Sequence, residues 1–100
     1  MAVDNLILIT SNTVLTAADR VVLVDSTSGQ VTATLPASHL AGERHSIKDY
    51  GNTGLGYSNI NPVWVDPGAS KIDGDTGPYL MDNNEGLNLI SNGSDWGVVV

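Results

Sequence analysis

No stretch of this chain carries an apolar period of 3.6 residues for more than a turn or two. Short apolar or alternating runs recur instead, each closed within a few residues by Gly, Pro, Asn, Asp or Ser. That rhythm is the signature of an all-β sandwich or barrel. The runs are Leu6–Thr10, Thr13–Thr16, Arg20–Asp25, Val31–Leu35, Arg44–Asp49, Pro62–Asp66, a half-apolar Ser70–Asp73, Tyr79–Met81, Leu87–Ser91 and Trp96–Val100. Arg20–Asp25 is continuously β-branched or aliphatic at its centre and reads as buried on both faces. Val31, Ala33 and Leu35 alternate with Thr32 and Thr34, so one face turns inward. Trp64 falls on the opposite face from Val63 and Val65. Pro36 ends its run because it has no N–H for a ladder.

The connections are legible in the same way. Asn92-Gly93 is a strong turn signal, since a type I′ turn needs positive φ at both centres. Asp82–Gly86 reads as a hairpin connection. Ala37–Glu43 is the best candidate for a helical turn, with Gly42 stopping it early. Tyr50–Asn61 has three glycines and no apolar run, and a loop of that length usually has a job or a partner. The expected architecture is a small antiparallel β-sandwich or barrel, jelly-roll or Greek-key-like. Residues 1–10 form an N-terminal arm or first strand, and residues 11–100 a single β domain.

Size decides how such a fold survives. One hundred residues suit one domain with a thin core. Hydrophobic residues make up 41% and charged residues only 15%, against roughly 25% in a typical soluble domain. Oligomerisation is a standard remedy for a thin core. The three terminal valines, Val98 to Val100, need a partner strand or a neighbouring chain.

Charge narrows the partners. The net charge is −7, and the four basic residues (Arg20, Arg44, Lys48, Lys71) are scattered. Nucleic-acid binding needs a dense cationic surface to displace counterions, so none is expected. Attraction to an anionic membrane is disfavoured for the same reason. There is no cysteine, which excludes disulfides and thiolate metal sites. Met1-Ala2-Val3-Asp4 lacks the basic n-region of a secretory signal, and no apolar run is long enough to span a bilayer.

The residue types capable of chemistry favour structural roles here. Asp66, Asp73 and Asp75 sit beside Gly or Pro, where an Asp side chain bonds nearby backbone N–H groups. Their spacing matches no EF-hand loop, leaving a surface Ca²⁺ site as the lesser reading. His39 reads as exposed, and His45 as packing or capping at a strand edge. Two histidines without cysteine make a poor zinc set, and no Gly-x-Ser-x-Gly elbow is present. Gly51–Gly56 lacks the Lys-Ser/Thr of a phosphate loop. Asn92-Gly93-Ser94 is a sequon accounted for by the turn. No catalytic residue, cofactor or metal ligand is assigned, and the chain does not read as an enzyme.

Several short motifs come in a suggestive order. Leu35-Pro36-Ala37, Ala41-Gly42, Ile47-Lys48-Asp49, Asn52, Asn61-Pro62, Ile72-Asp73-Gly74 and Leu89-Ile90-Ser91-Asn92-Gly93-Ser94-Asp95-Trp96 together resemble a β-rich structural module of tailed-bacteriophage virion proteins. Such modules occur in tail fibres, tail spikes and head-attached fibre or decoration proteins. The resemblance runs from about Thr10 to Val100, and its ending, Leu-Ile-Ser-x-Gly-x-x-Trp, is the most telling part. It implies a virion structural part, usually trimeric, with no catalytic residues to carry over. A free-standing copy of this size fits a capsid decoration (cement) protein better than a fibre.

The expectation is therefore a homotrimer, made in the host bacterial cytoplasm and located in the virion. Its partner would be the major capsid protein or another virion component. Residues 1–10 would reach the shell or swap between subunits. Leu6, Leu8, Trp96, Val98 and Val100 are the candidate assembly contacts. The alternative is a tail-fibre or receptor-binding module that takes carbohydrate, with Tyr50, Tyr57 and Asn59 as the candidate interaction surface.

Overall fold

A computed structural model describes residues 5–50, 61–82 and 84–99, which form β-strands and turns with no helix among them. The strands are β1 (Leu6–Ile9), β2 (Thr13–Val14), β3 (Val21–Val24), β4 (Val31–Thr34), β5 (Arg44–Asp49), β6 (Val63–Asp66), β7 (Tyr79–Leu80), β8 (Gly86–Ser91) and β9 (Trp96–Val98). They make two sheets, in the orders β1-β3-β5-β8-β9 and β2-β4-β6-β7.

The sheets are mixed, not antiparallel as the sequence suggested. β1, β3 and β5 run parallel, as do β2, β4 and β6. Only β7, β8 and β9 enter antiparallel to a neighbour. The reason lies in the turns. From β1 to β6 each strand lands in the sheet opposite its predecessor, so the chain coils between the sheets. Two strands later it returns beside its earlier self, pointing the same way. The polar turns around Ser11-Asn12 and Ser26–Gly29 are corners between sheets. Asp82–Gly86 is likewise a crossing from β7 to β8 in the other sheet, not a hairpin.

The alternation read from the sequence sets the core. Val22 and Val24 of β3, Val31 and Ala33 of β4, Ile47 of β5, Val63 and Val65 of β6, and Leu87 and Leu89 of β8 all point inward. They join Ile9, Leu15, Leu35, Ile72, Met81 and Trp96 in one apolar cluster between the sheets. β3 is buried on one face only. Val21 and Leu23 are half-buried on its outer side, where among the described residues no further sheet lies over them.

Two local expectations change. Ala37–Glu43 forms a turn instead of a helical one. Glu43 N–H bonds the Leu40 carbonyl at 3.0 Å, and Gly42, at φ 91°, takes the positive-φ position. Gly42 N–H then reaches the Ser91 carbonyl at 2.8 Å. At the other turn, β8 and β9 do form a hairpin, but over four residues, with Ser91 facing Trp96. Asn92 Oδ1 accepts from Ser94 and Asp95 N–H at 2.8 Å each, and only Gly93 takes positive φ there (98°).

Candidate functional site

The outermost strand of the larger sheet presents the most unusual surface. β1 is wholly aliphatic, Leu-Ile-Leu-Ile. The carbonyls of Asn5 and Ile9 accept from Val21 and Asp25 at 2.9 Å each. In a parallel ladder alternate residues bond the same neighbour, so the backbone groups of Leu6 and Leu8 face away from β3. Their side chains stand on the outer face, 60% and 56% exposed. Leu6 lies beside Val21 and Leu8 beside Leu23, which makes a four-residue aliphatic patch at an open edge. Val14 of β2, at the matching edge of the second sheet, is 68% exposed.

Other edges are protected, as soluble β-proteins generally require. Along β9, Trp96 N–H bonds the Lys71 carbonyl at 2.8 Å and its own carbonyl accepts from Asp73 N–H at 2.9 Å. Asp73 Oδ1 accepts from Val98 N–H at 3.1 Å. β2 and β7 are two residues long. Among the described residues β1 is the longest edge strand, four residues against two or three elsewhere, and it carries neither charge nor proline.

A second feature lies on the outer face of the smaller sheet. Trp64 points outward while Val63 and Val65 are buried. Thr32 and Leu80 are its cross-strand neighbours. Gln30, Thr32, Trp64, Asp66 and Pro78 line a shallow depression of about 200 Å³.

The third feature is internal. His39 is buried, not exposed as its sequence context suggested. Its Nδ1 makes a hydrogen bond with Ser91 Oγ, and its Nε2 lies 2.9 Å from Ser70 Oγ. Its ring packs on Trp96 with centroids 4.3 Å apart. The turn at Leu40–Glu43 draws it inward, a long-range effect that no local pattern signals. Hydroxyls can donate or accept, so a neutral imidazole satisfies both bonds. The arrangement pins the Ala37–Glu43 turn to β8 and to the segment before Ile72.

His45 is buried within β5, its ring edge toward Trp96. Its Nδ1 lies 2.6 Å from the Asp19 carbonyl and its Nε2 2.7 Å from Glu43 Oε2. The ring is thus held between a backbone carbonyl on one side and a carboxylate on the other.

The acidic residues act on the backbone. Asp66 Oδ1 accepts from Gly68 N–H at 2.8 Å, and Asp75 Oδ1 from Gly77 N–H at 2.9 Å. Among the described residues no three His, Asp or Glu gather to hold a metal ion. The Thr27 side chain and backbone N–H hold the Asp25 carboxyl below its usual range. Tyr79 donates to Glu85 Oε2 at 2.6 Å, which pushes its phenol up to about 12.

The residues singled out in the sequence are thus dispersed. Leu6 and Leu8 form the exposed edge, and Val98 is half-buried in β9. Trp96 is 2% exposed and belongs to the core, so it offers no surface to a partner. Tyr50 is 52% exposed at the end of β5. Tyr57, Asn59 and Val100 lie outside the described residues. Sequence reasoning passed over Val21 and Leu23 as part of a surface. Their even spacing within an unbroken aliphatic run hides an outward face. No protein-family model matches this chain, and no curated protein does.

Proposed function

We propose that the chain is a self-associating structural protein of a bacteriophage virion, a homotrimeric decoration protein that binds and stabilises the outer head surface. The observation that carries self-association is the open edge of β1 with its patch of Leu6, Leu8, Val21 and Leu23. An aliphatic edge without gatekeepers is a standing template for another chain. Three patches meeting around a threefold axis remove these side chains from water, at about 25 cal/mol per Å² buried. The acidic charge keeps such a protein soluble at high local concentration. The virion assignment rests on the motif order from Leu35 to Trp96, and the major capsid protein is the partner it points to.

Sedimentation equilibrium tests the assembly. A stable species of about 31 kDa, three chains of 10.4 kDa, supports the trimer. A dimer would mean that β1 pairs edge to edge with its own copy, and a strict monomer removes the basis of the reading. The capsid assignment is checked by adding the purified protein to heads stripped of surface proteins. Saturable binding there, absent from isolated tails, is the expected result.

A further inference from the structure

We propose that the depression beside Trp64 binds a neutral pyranose ring. It lies on the outer face of the smaller sheet, so self-association through the β1–β3 patch leaves it open. This inference does not rest on the trimer.

The chemistry of the lining is the first argument. A sugar ring offers one face of C–H bonds and a rim of hydroxyls. Trp64 supplies a flat, electron-rich surface for the former. Gln30, Thr32 and Asp66 supply an amide, a hydroxyl and a carboxylate for the latter. Few polar groups around an aromatic floor is the usual build of a small-ligand site.

The second argument is that these polar groups have capacity to spare. Asp66 uses Oδ1 to hold Gly68 N–H, which fixes the carboxylate. Its Oδ2, the Gln30 amide and the Thr32 hydroxyl make no hydrogen bond among the described residues. A carboxylate oxygen beside an amide can accept from one hydroxyl of a vicinal diol while the amide serves the next.

Size and charge choose the ligand. The volume of about 200 Å³ falls below the roughly 300–1,000 Å³ of sites for larger ligands, so one ring fits and an extended chain does not. Asp66 and a net charge of −7 disfavour uronic and sialic acids. A Trp on a sheet face can serve merely as a cross-strand partner. Here Leu80 beside it stays 49% exposed, and the depression stays open.

The full-length protein can be titrated with the methyl glycosides of glucose, galactose and mannose while its two indole N–H signals are followed by NMR. Trp96, buried in the core, serves as the internal reference. At least one glycoside should shift the Trp64 signal saturably, with a dissociation constant on the order of 1 mM for a ligand this small. The Trp96 signal should stay still. Trp64→Ala should abolish binding. Asp66→Asn keeps an oxygen for Gly68 and should weaken binding at least about fivefold; it decides the matter alone should Trp64→Ala fail to fold. Three results would overturn the proposal: no saturable shift with any glycoside, an equal shift from the open-chain polyol sorbitol, or unchanged affinity in Asp66→Asn.

Discussion

Replacing Leu6 and Leu8 together by serine tests the proposed trimer at the point where its surface is most exposed. Complete burial of a leucine side chain is worth about 1.5–3 kcal/mol. These two still expose 60% and 56% of their surface, so assembly can gain little more than half of that at each. The pair then contributes about 2–3 kcal/mol per subunit, or about 5–10 kcal/mol per trimer, by the same transfer scale. At about 1.4 kcal/mol per decade, the lower figure moves the trimer dissociation constant by more than three decades. That constant carries units of concentration squared, so the midpoint concentration rises by its square root, at least about 50-fold. The isolated subunit should lose far less. Leu6 faces Val21 and Leu8 faces Leu23, and such cross-strand pairs are worth about 0.2–1 kcal/mol each. Sedimentation across a concentration series reads the midpoint, and a thermal melt reads the subunit. A folded double variant with an unshifted midpoint would refute the assignment of this edge to self-association.

The remaining predictions concern the interior and the turns. His39→Ala removes the partner of Ser70 and Ser91 and the ring stacked on Trp96, and should cost about 2–4 kcal/mol from an unmet buried hydrogen bond plus a cavity, seen as a melting point about 10–25 °C lower. Tyr79 is raised in the folded state, so its bond to Glu85 stabilises the fold fully below pH 10 and is lost as pH climbs toward about 12. Denaturation at pH 8 and pH 11 should therefore show Tyr79→Phe less stable than the parent at the lower pH and closer to it at the higher. Gly93→Ala places a side chain at φ 98° and should lower stability by about 1–2 kcal/mol, measured by urea titration; there is no clash to add, since the nearest atoms lie 3.8 Å away.

Strand positions were legible because burial on one face writes period two into the sequence. Val31-Thr32-Ala33-Thr34 and Val63-Trp64-Val65-Asp66 each announce their inward side, and both sit in the core as that reading requires. What period two does not carry is the identity of the neighbouring strand. A turn that folds a strand back on its own sheet and one that sends it to the opposite sheet use the same residues: Ser11-Asn12 and Asn92-Gly93 look alike, yet the first is a corner and the second closes a hairpin. The burial of His39 is hidden from the local sequence for a related reason. Its burial depends on Ser70 and Ser91, residues far along the chain, and nothing within a few positions reports them.

The path of the chain also explains why the exposed surface lies where it does. In a coil that passes between two sheets, each turn of chain covers the edge left by the one before it. β3 covers one side of β1, and β5 one side of β3, but no earlier coil among the described residues covers the outer side of β1. At the far end the chain stops coiling: β8 and β9 turn back on β5, and the segment around Ile72 lies along β9. At one end the segment from Lys71 to Asp73 covers β9, while among the described residues nothing covers the outer side of β1. A hairpin adds a strand but leaves that strand's outer side unpaired, so each end of a sheet needs cover, charge, shortness or a partner whatever the strand direction. An edge left in water favours charges and prolines, and β1 carries neither, which is the feature the proposed self-association would use.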